Sequence, residues 1–467
     1  MAAFAGVFCI IISLGLLMYL AYKGVSVIIL APVLAVFTYV AEGFFTDLHG
    51  SYGLATLTET FMGGMSNYIF NYFLIFLLGA VFGKLMDSTG SALKIARIVS
   101  TSLGNRRAVL AVIISCSILT YGGVSLFVVA FAAYPIAAEL FREANIPRRF
   151  LPATIAVGAV TFTMTALPGS PQIQNAIPMK YFGTDVYAAP VIGIVCSIIM
   201  LGLSYAWISY RVKTAKAAGY GFDEDVNRTD DVSYDNLPSG FLALLPAILV
   251  LVINFIFSKF IFVNMDLSYL IDNYGKQPSD LIGNWSLIVA LIIAIVVCLI
   301  TNLERQRGKV RETLNDGIQG SFIAMMNTAA VVGYGGVIKT LAAFNIVKEG
   351  IIGLSDNPLI AGSISSTVLA GITGSASGGL SIALEALSGN LMAMADSAGI
   401  SYEALHRITA IASGGIDTLP HNGAVVTLLV VTATNHKSSY FDIFVVSVAI
   451  PLVALIAAIV MGTLGIC

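Results

Sequence analysis

Gly374-Ser375-Ala376-Ser377-Gly378-Gly379-Leu380-Ser381 interrupts an apolar segment that runs from 359 to 395. About 20 apolar residues suffice to cross a bilayer as a helix. The segment is therefore too long for one crossing, and its two arms are short for a crossing each. A second segment, 107–141, repeats the design around Tyr121-Gly122-Gly123. Each segment is expected to enter the bilayer, turn at its glycines and return. The alternative is two full crossings per segment.

Working outward, the chain is an alternation of apolar runs and short charged connections. Of its 467 residues, 57% are hydrophobic and only 11% charged, where a soluble domain carries about 25% charged residues. Open sheet cannot satisfy its backbone in lipid, so the expected fold is an all-α polytopic membrane protein. Ten candidate spans follow: 4–22, 25–43, 64–86, 148–178, 188–210, 239–262, 285–303, 317–339, 402–434 and 441–464. The run 4–21 has no basic flank before it and no clear cleavage site after it, and reads as a retained helix. A net charge of −2 argues against a nucleic-acid partner, and no phosphate-binding glycine loop occurs. The five cysteines (Cys9, Cys116, Cys196, Cys298, Cys467) are odd in number and form no CxxC, which leaves neither a disulfide framework nor a metal site.

The excess of basic residues in cytoplasmic loops orients the chain. With the N-terminus outside, the inside receives Lys84, Lys94, Arg97, Arg106 and Arg107, then Arg142, Arg148 and Arg149, and the basic residues around 211–228 and 305–311. Only Lys180, Lys259, Lys276, Lys339, Lys348 and Arg407 fall outside. Segment 107–141 has arginines at both ends, so both ends lie inside. Segment 359–395 lies between Asp356 and Asp396, so both its ends read as outside. The two hairpins are thus re-entrant and opposed.

They also resemble each other. Gly122-Gly123-Val124-Ser125 matches Gly378-Gly379-Leu380-Ser381 at an offset of 256 residues. After each hairpin comes a long apolar run broken by proline. The first reads Thr165-Ala166-Leu167-Pro168-Gly169-Ser170, the second Asp417-Thr418-Leu419-Pro420-His421-Asn422, at an offset of 252. Two motifs in the same order, with opposed hairpins, predict two inverted repeats, an arrangement common in secondary transporters. The expected units are 1–213, a cytoplasmic linker at 214–238, and 239–467. Nineteen residues separate Arg149 from Pro168, and Ser401 from Pro420; at about 1.5 Å per residue both breaks fall well inside the membrane. Proline ends the helix before it but fits the first turn of the next, so each run becomes two half-helices.

Helix starts carry free N–H groups and partial positive charge, and bind anions. Starts are expected near Ser125 and Ser381 in the hairpins and near Ser170 and Asn422 in the broken helices. Together with Gly123, Thr165, Gly169, Ser375, Ser377, Gly378, Gly379, Thr418 and His421, these residues would hold the oxygens of a small carboxylate. The competing reading is that the small residues only let helices pack closely. Three titratable residues are deep and all lie in the second repeat: Glu385, Asp417 and His421. Ionisable groups inside a membrane are costly and are functional candidates, and a histidine titrates near neutral pH, so these three are the candidate proton-coupling residues. Asp417 and His421 could instead form a structural pair, and Glu385 could reach an outer aqueous vestibule. His49, His406 and His436 sit at expected helix ends or loops and suggest surface roles. Two amphipathic stretches, 88–103 and 341–355, read as helices lying along the interface.

The stretches Gly374-Ser-Ala-Ser-Gly-Gly-Leu-Ser-Ile-Ala-Leu-Glu385 and Gly414-Gly-Ile-Asp-Thr-Leu-Pro-His-Asn-Gly423 resemble the gluconate permease family, and within it the 3-hydroxybutyrate permease branch more than gluconate carriers proper. The resemblance covers most of the chain. It implies the ion-transporter superfamily fold, proton symport of a hydroxy-carboxylate in the inner (plasma) membrane, and a homodimer moving by an elevator mechanism, with no cofactor. Sodium coupling and sugar-acid substrates are the alternatives. A channel would need a continuous polar path, which opposed hairpins do not suggest. An intramembrane enzyme built on Asp417 and His421 lacks any HExxH or GxSxG motif.

Overall fold

The structure, a computed structural model, describes residues 2–23, 25–44, 52–104, 107–124, 126–222, 237–373, 375–420 and 422–467. The described residues form helices joined by turns, with no strand among them. Helices α1 (Ala2–Tyr22) and α2 (Val27–Gly43) pack side by side. A single turn, α3 (Gly53–Ala55), leads through a π-helical stretch into α4 (Met62–Ser88). The amphipathic α5 (Ser91–Leu103) precedes a hairpin of α6 (Ala108–Tyr121) and α7 (Leu126–Glu143). An interrupted helix follows as α8 (Leu151–Val160), the single turn α9 (Phe162–Thr165) and α10 (Ile173–Phe182), and then α11 (Pro190–Ala217).

The second half opens with α12 (Gly240–Ile256), the short α13 (Tyr269–Tyr274) and α14 (Pro278–Thr301). From there the order of the first half recurs. The long α15 (Val310–Thr340) leads to the amphipathic α16 (Ala342–Gly353) and a hairpin of α17 (Pro358–Thr373) and α18 (Ala376–Ala398). The interrupted pair α19 (Tyr402–Ser413) and α20 (Gly423–Val431) comes next, and α21 (His436–Phe444) and α22 (Ile450–Thr463) close the chain. Among the described residues, six continuous helical runs are long and apolar enough to cross a bilayer: Gly53–Ser88, Pro190–Ala217, Gly240–Asn264, Leu281–Thr301, Val310–Thr340 and His436–Thr463. Four further apolar helices are shorter, among them one arm of each hairpin.

Of the long runs, α15 is the most enclosed. It packs along α4, and glycines bring the two backbones together. A Cβ on Gly333 would stand 2.7 Å from the Phe61 carbonyl oxygen, and one on Gly317 would stand 2.8 Å from the Val81 Cα. Small residues in such seams replace the hydrophobic driving force that lipid does not provide. The Tyr334 hydroxyl, on α15, meets the Ser13 hydroxyl on α1 at 3.0 Å, which ties the central pair to the first helices.

Several sequence expectations are corrected here. The returning arm of the second hairpin starts at Ala376, not near Ser381. Ser375 is the N-cap, its hydroxyl accepting from the Gly378 N–H at 3.1 Å, and this ends the competition between turn and helix one turn earlier than expected. Gly378, Gly379 and Ser381 therefore lie inside α18. Gly379 serves packing, because a Cβ there would overlap the Ala370 backbone on α17. In the first interrupted helix the downstream half starts at Ile173, not at Ser170. The expected linker at 214–238 is helical to Ala217, and Tyr220 and Phe222 then fold back on the hairpin exit. There Asn145 Oδ1 accepts from the Phe222 N–H at 3.0 Å, with the Arg142 and Arg148 guanidinium groups over the Phe222 ring.

Candidate functional site

Three helix starts and one hairpin tip meet at a cavity of about 700 Å³. Gln172, Ile173 and Gln174 come from the start of α10, Ser375, Ala376 and Ser377 from α18, and Asn422, Gly423 and Ala424 from α20. Gly123 and Leu126, at the turn of the first hairpin, complete that end. The walls are α4, through Phe76, Gly79 and Ala80, and α15, through Gly317, Gly320 and Asn327. The cavity extends to Lys84 and Asp316, which form an ion pair of 3.4 Å and are both partly exposed.

The first break is built by hydrogen bonds that a helix would otherwise have used. Gly169 takes φ +84, a left-handed value suited to glycine, and its N–H donates to the Val186 carbonyl at 2.9 Å. The Ser170 hydroxyl donates to the Thr163 carbonyl at 2.5 Å, and the Tyr121 hydroxyl to the Pro168 carbonyl at 2.7 Å. Gln172 Nε2 reaches the Thr120 and Val124 carbonyls at 2.8 and 3.3 Å, which fixes the tip of the first hairpin to the start of α10.

In the second break, residues 414–420 form turns rather than helix. Asn422 caps α20, its Oδ1 accepting from the Ala424 and Val425 N–H groups at 2.6 and 3.1 Å, while its Nδ2 donates to the Asp417 carbonyl at 2.9 Å. The Asp417 carboxyl lies near the backbone N–H groups of Ala376 and Thr418, which brings the second break beside the start of α18. The Thr418 hydroxyl pairs with Ser447 at 2.7 Å. At the first break, much of the irregular backbone is thus bonded inside the protein, as irregular backbone at membrane depth requires.

Behind the cavity lies a cluster that the sequence reading missed. Arg407 and His406, expected near the surface, are fully buried on α19. Arg407 donates to the Ala188 carbonyl at 3.0 and 2.9 Å, to Val186 at 2.9 Å, to Thr165 at 3.3 Å and to Asn175 Oδ1 at 2.7 Å. The α19 residue therefore holds the break of the other interrupted helix. Because Arg407 requires an acceptor, the oxygen of Asn175 faces it. His406 Nε2, 3.1 Å from that same oxygen, must then carry the proton, and Nδ1 accepts from the Thr184 hydroxyl at 2.6 Å. The available signal was that Arg407 is a basic residue on the side of the protein otherwise poor in them.

Of the expected site residues, Gly123, Thr165, Ser375, Ser377, Asp417, Thr418 and Asn422 line the cavity. Gly169, Ser170, Gly378, Gly379, Ser381 and Glu385 are not among its lining. Ser170 and Ser381 are fully buried, and Ser381 spends its hydroxyl on the Ser377 carbonyl one turn back at 2.7 Å. Glu385 lies further along α18, where it accepts from Tyr181 at 3.0 Å and pairs with Lys339 at 3.3 Å. Ser125, His421 and His49 lie outside the described residues. Gln172 and Gln174, both buried and both lining the cavity, were not anticipated. Their signal was two amides in an apolar run directly after a proline break.

Among known proteins, the chain is similar to the uncharacterized transporter YxjC of Bacillus subtilis (strain 168), 42% identical over 94% of this chain and 95% of that protein. It is more distantly similar to the high-affinity gluconate transporter of Escherichia coli (strain K12), 27% identical over 64% of this chain and 62% of that protein. In fold it is similar to the Alcanivorax borkumensis YdaH transporter, with a TM-score of 0.58, 16% identity, and coverage of 88% of this chain and 89% of that one. The family model for GntP family permease matches residues 6–461. The chain belongs to the GntP permease family and is a multi-pass membrane transporter, not an enzyme.

Proposed function

We propose that this transporter is a proton-coupled symporter of a small hydroxy-carboxylate, with 3-hydroxybutyrate the substrate favoured by its sequence motifs. The observation that carries the reading is the convergence of the starts of α10, α18 and α20 and the tip of the first hairpin on one cavity. N–H dipoles from several helices aimed at one point suit a carboxylate, and Ser375, Ser377, Thr418 and Asn422 supply hydroxyl and amide groups for its remaining oxygens. The recurrence of long helix, amphipathic helix, hairpin and interrupted helix supports two inverted repeats, 1–213 and 239–467, with both hairpins re-entrant. We place the protein in the inner membrane as a homodimer that moves its hairpin domain by an elevator mechanism. Asp417, at the cavity, is the leading proton-coupling residue, with Glu385 and His421 the other two candidates.

Reconstituted protein in proteoliposomes tests this. An inward proton gradient should drive saturable accumulation of labelled 3-hydroxybutyrate, and unlabelled 3-hydroxybutyrate should compete better than gluconate. Equal or stronger competition by gluconate would move the protein to sugar acids, the substrate class of its E. coli relative. Accumulation that follows a sodium gradient instead would replace the coupling ion.

A further inference from the structure

Four helices run past one end of the cavity and are tied together there. α15 lines the cavity as far as Thr328, α4 back to Ile75, α10 to Gln174 and α18 to Ser377. About one to three turns beyond those points, side chains join the four in a ring. The Tyr72 hydroxyl on α4 donates to the Ile177 carbonyl on α10 at 3.3 Å. The Tyr181 hydroxyl on α10 donates to the Glu385 carboxylate on α18 at 3.0 Å. Lys339 on α15 pairs with that carboxylate at 3.3 Å and also donates to the Glu385 carbonyl at 3.2 Å. α15 packs along α4, which closes the ring.

The ring is filled. Tyr68 and Tyr72 are buried with their rings 4.8 Å apart, and a Cβ on Gly335 of α15 would stand 2.6 Å from Cγ1 of the buried Ile382 on α18. At its other end the cavity reaches the partly exposed Lys84 and Asp316. The cavity is thus open at one end and packed shut at the other. The packed end joins two kinds of helix: α10 and α18 come from the interrupted helix and the hairpin, α4 and α15 from the central pair. An exposed ion pair alone contributes little. Glu385, however, both bonds α18 to α10 through Tyr181 and attaches them to α15 through Lys339.

We propose that this ring is the gate at the closed end of the cavity and that the Glu385–Lys339 pair holds it shut. The pair keeps α10 and α18 against α4 and α15, and it breaks when the substrate passes that end. Such a role needs the two opposite charges and no proton transfer, so removing either charge has the same effect. The assignment rests on the elevator reading above.

Thiol accessibility in the purified full-length protein tests it, in a background without the five native cysteines. Ile382→Cys reports on the inside of the ring. Gly320→Cys reports on the open end, where it lines the cavity and a Cβ meets nothing within 4 Å. Glu385→Gln and Lys339→Met should each speed the reaction of Ile382→Cys with a small charged methanethiosulfonate about fivefold, the shift an ion pair of this exposure can hold. Lys339→Arg, which keeps the charge, should leave that rate as it was, and the Gly320→Cys rate should not rise in any of them. An unchanged Ile382→Cys rate in both Glu385→Gln and Lys339→Met overturns the proposal. So do rates that rise equally at both reporters, the mark of a loosened fold. A second measurement tests the reading beneath it. Joining Lys339→Cys to Glu385→Cys with a short cleavable bis-methanethiosulfonate should stop uptake of labelled 3-hydroxybutyrate into proteoliposomes, and cleavage should restore it. Uptake that continues through the joined protein overturns the elevator reading itself, and the gate with it.

Discussion

The methyl group of Thr165 lies 2.9 Å from the point where a Cβ on Gly414 would stand. The two interrupted helices therefore cross at their interruptions, with no room for a side chain between them. Thr165 and Gly414 both line the cavity, so this contact sets how closely the two half-sites approach.

Gly414→Ala should push the breaks apart and lower uptake at least tenfold, since overpacking a tight contact costs about 1–3 kcal/mol. Thr165→Ser removes the opposing methyl. The double variant should recover most of the activity, and a double variant as poor as the single one would place the defect elsewhere.

Arg407 holds carbonyls at 165, 186 and 188 together with Asn175. Arg407→Met removes the donors to the Ala188 and Thr165 carbonyls, at about 1–3 kcal/mol for each group left buried and unpaired, and one of several donors to the Val186 carbonyl and Asn175 Oδ1. Lysine cannot reproduce the fork. Both variants should melt well below the wild type, with methionine the worse, as read by fluorescence-detected size exclusion after heating. A melting temperature unchanged in both would show that the guanidinium is dispensable.

Re-entrant hairpins, as proposed, would place both ends of each on one side of the membrane. In a background without the five native cysteines, Arg107→Cys and Glu143→Cys should react with an impermeant maleimide only from inside, and Asp356→Cys and Asp396→Cys only from outside. All four positions are exposed. Labelling of the two ends of one hairpin from opposite sides means that the segment crosses twice.

Glu385→Gln, Asp417→Asn and His421→Gln separate coupling from transport. A residue that carries the proton should, when neutralised, abolish pH-driven accumulation while leaving exchange between two substrate-filled compartments. Asp417→Asn should show this pattern most fully, because Asp417 faces the cavity and Glu385 is engaged with Lys339 and Tyr181. pH-driven accumulation that survives in all three variants puts the proton on another group, and accumulation that follows sodium alone favours sodium coupling through backbone carbonyls at the breaks.

Much of the architecture is legible in local chemistry. Glycine and proline act through the backbone of their own neighbourhood, so the end of α6 at Gly122, the start of α18 after Ser375 and the breaks after Thr165 and Ser413 could be placed within a few residues. Asn422 could be named as a cap because its side chain reaches the amides two and three residues on. The errors of register also have a local cause. In Gly374-Ser-Ala-Ser-Gly-Gly every residue tolerates a turn. Which one becomes the cap depends on how α18 lies against α17, and Gly379 is helical because the Ala370 backbone occupies the space of its missing side chain.

By itself, the sequence determined that this chain is helical, crosses a membrane several times and interrupts its helices at four glycine- or proline-marked points, because hydrophobic length and backbone restriction are properties of consecutive residues. Only the tertiary structure decided which groups those interruptions share. Arg407 and Asn175 are 232 positions apart, and Glu385 and Tyr181 are 204 apart; no local pattern records such partners. Packing placed Arg407 in the interior beneath the cavity, turned Glu385 toward Lys339 and away from Asp417, and left the α10 start uncapped while capping the other two.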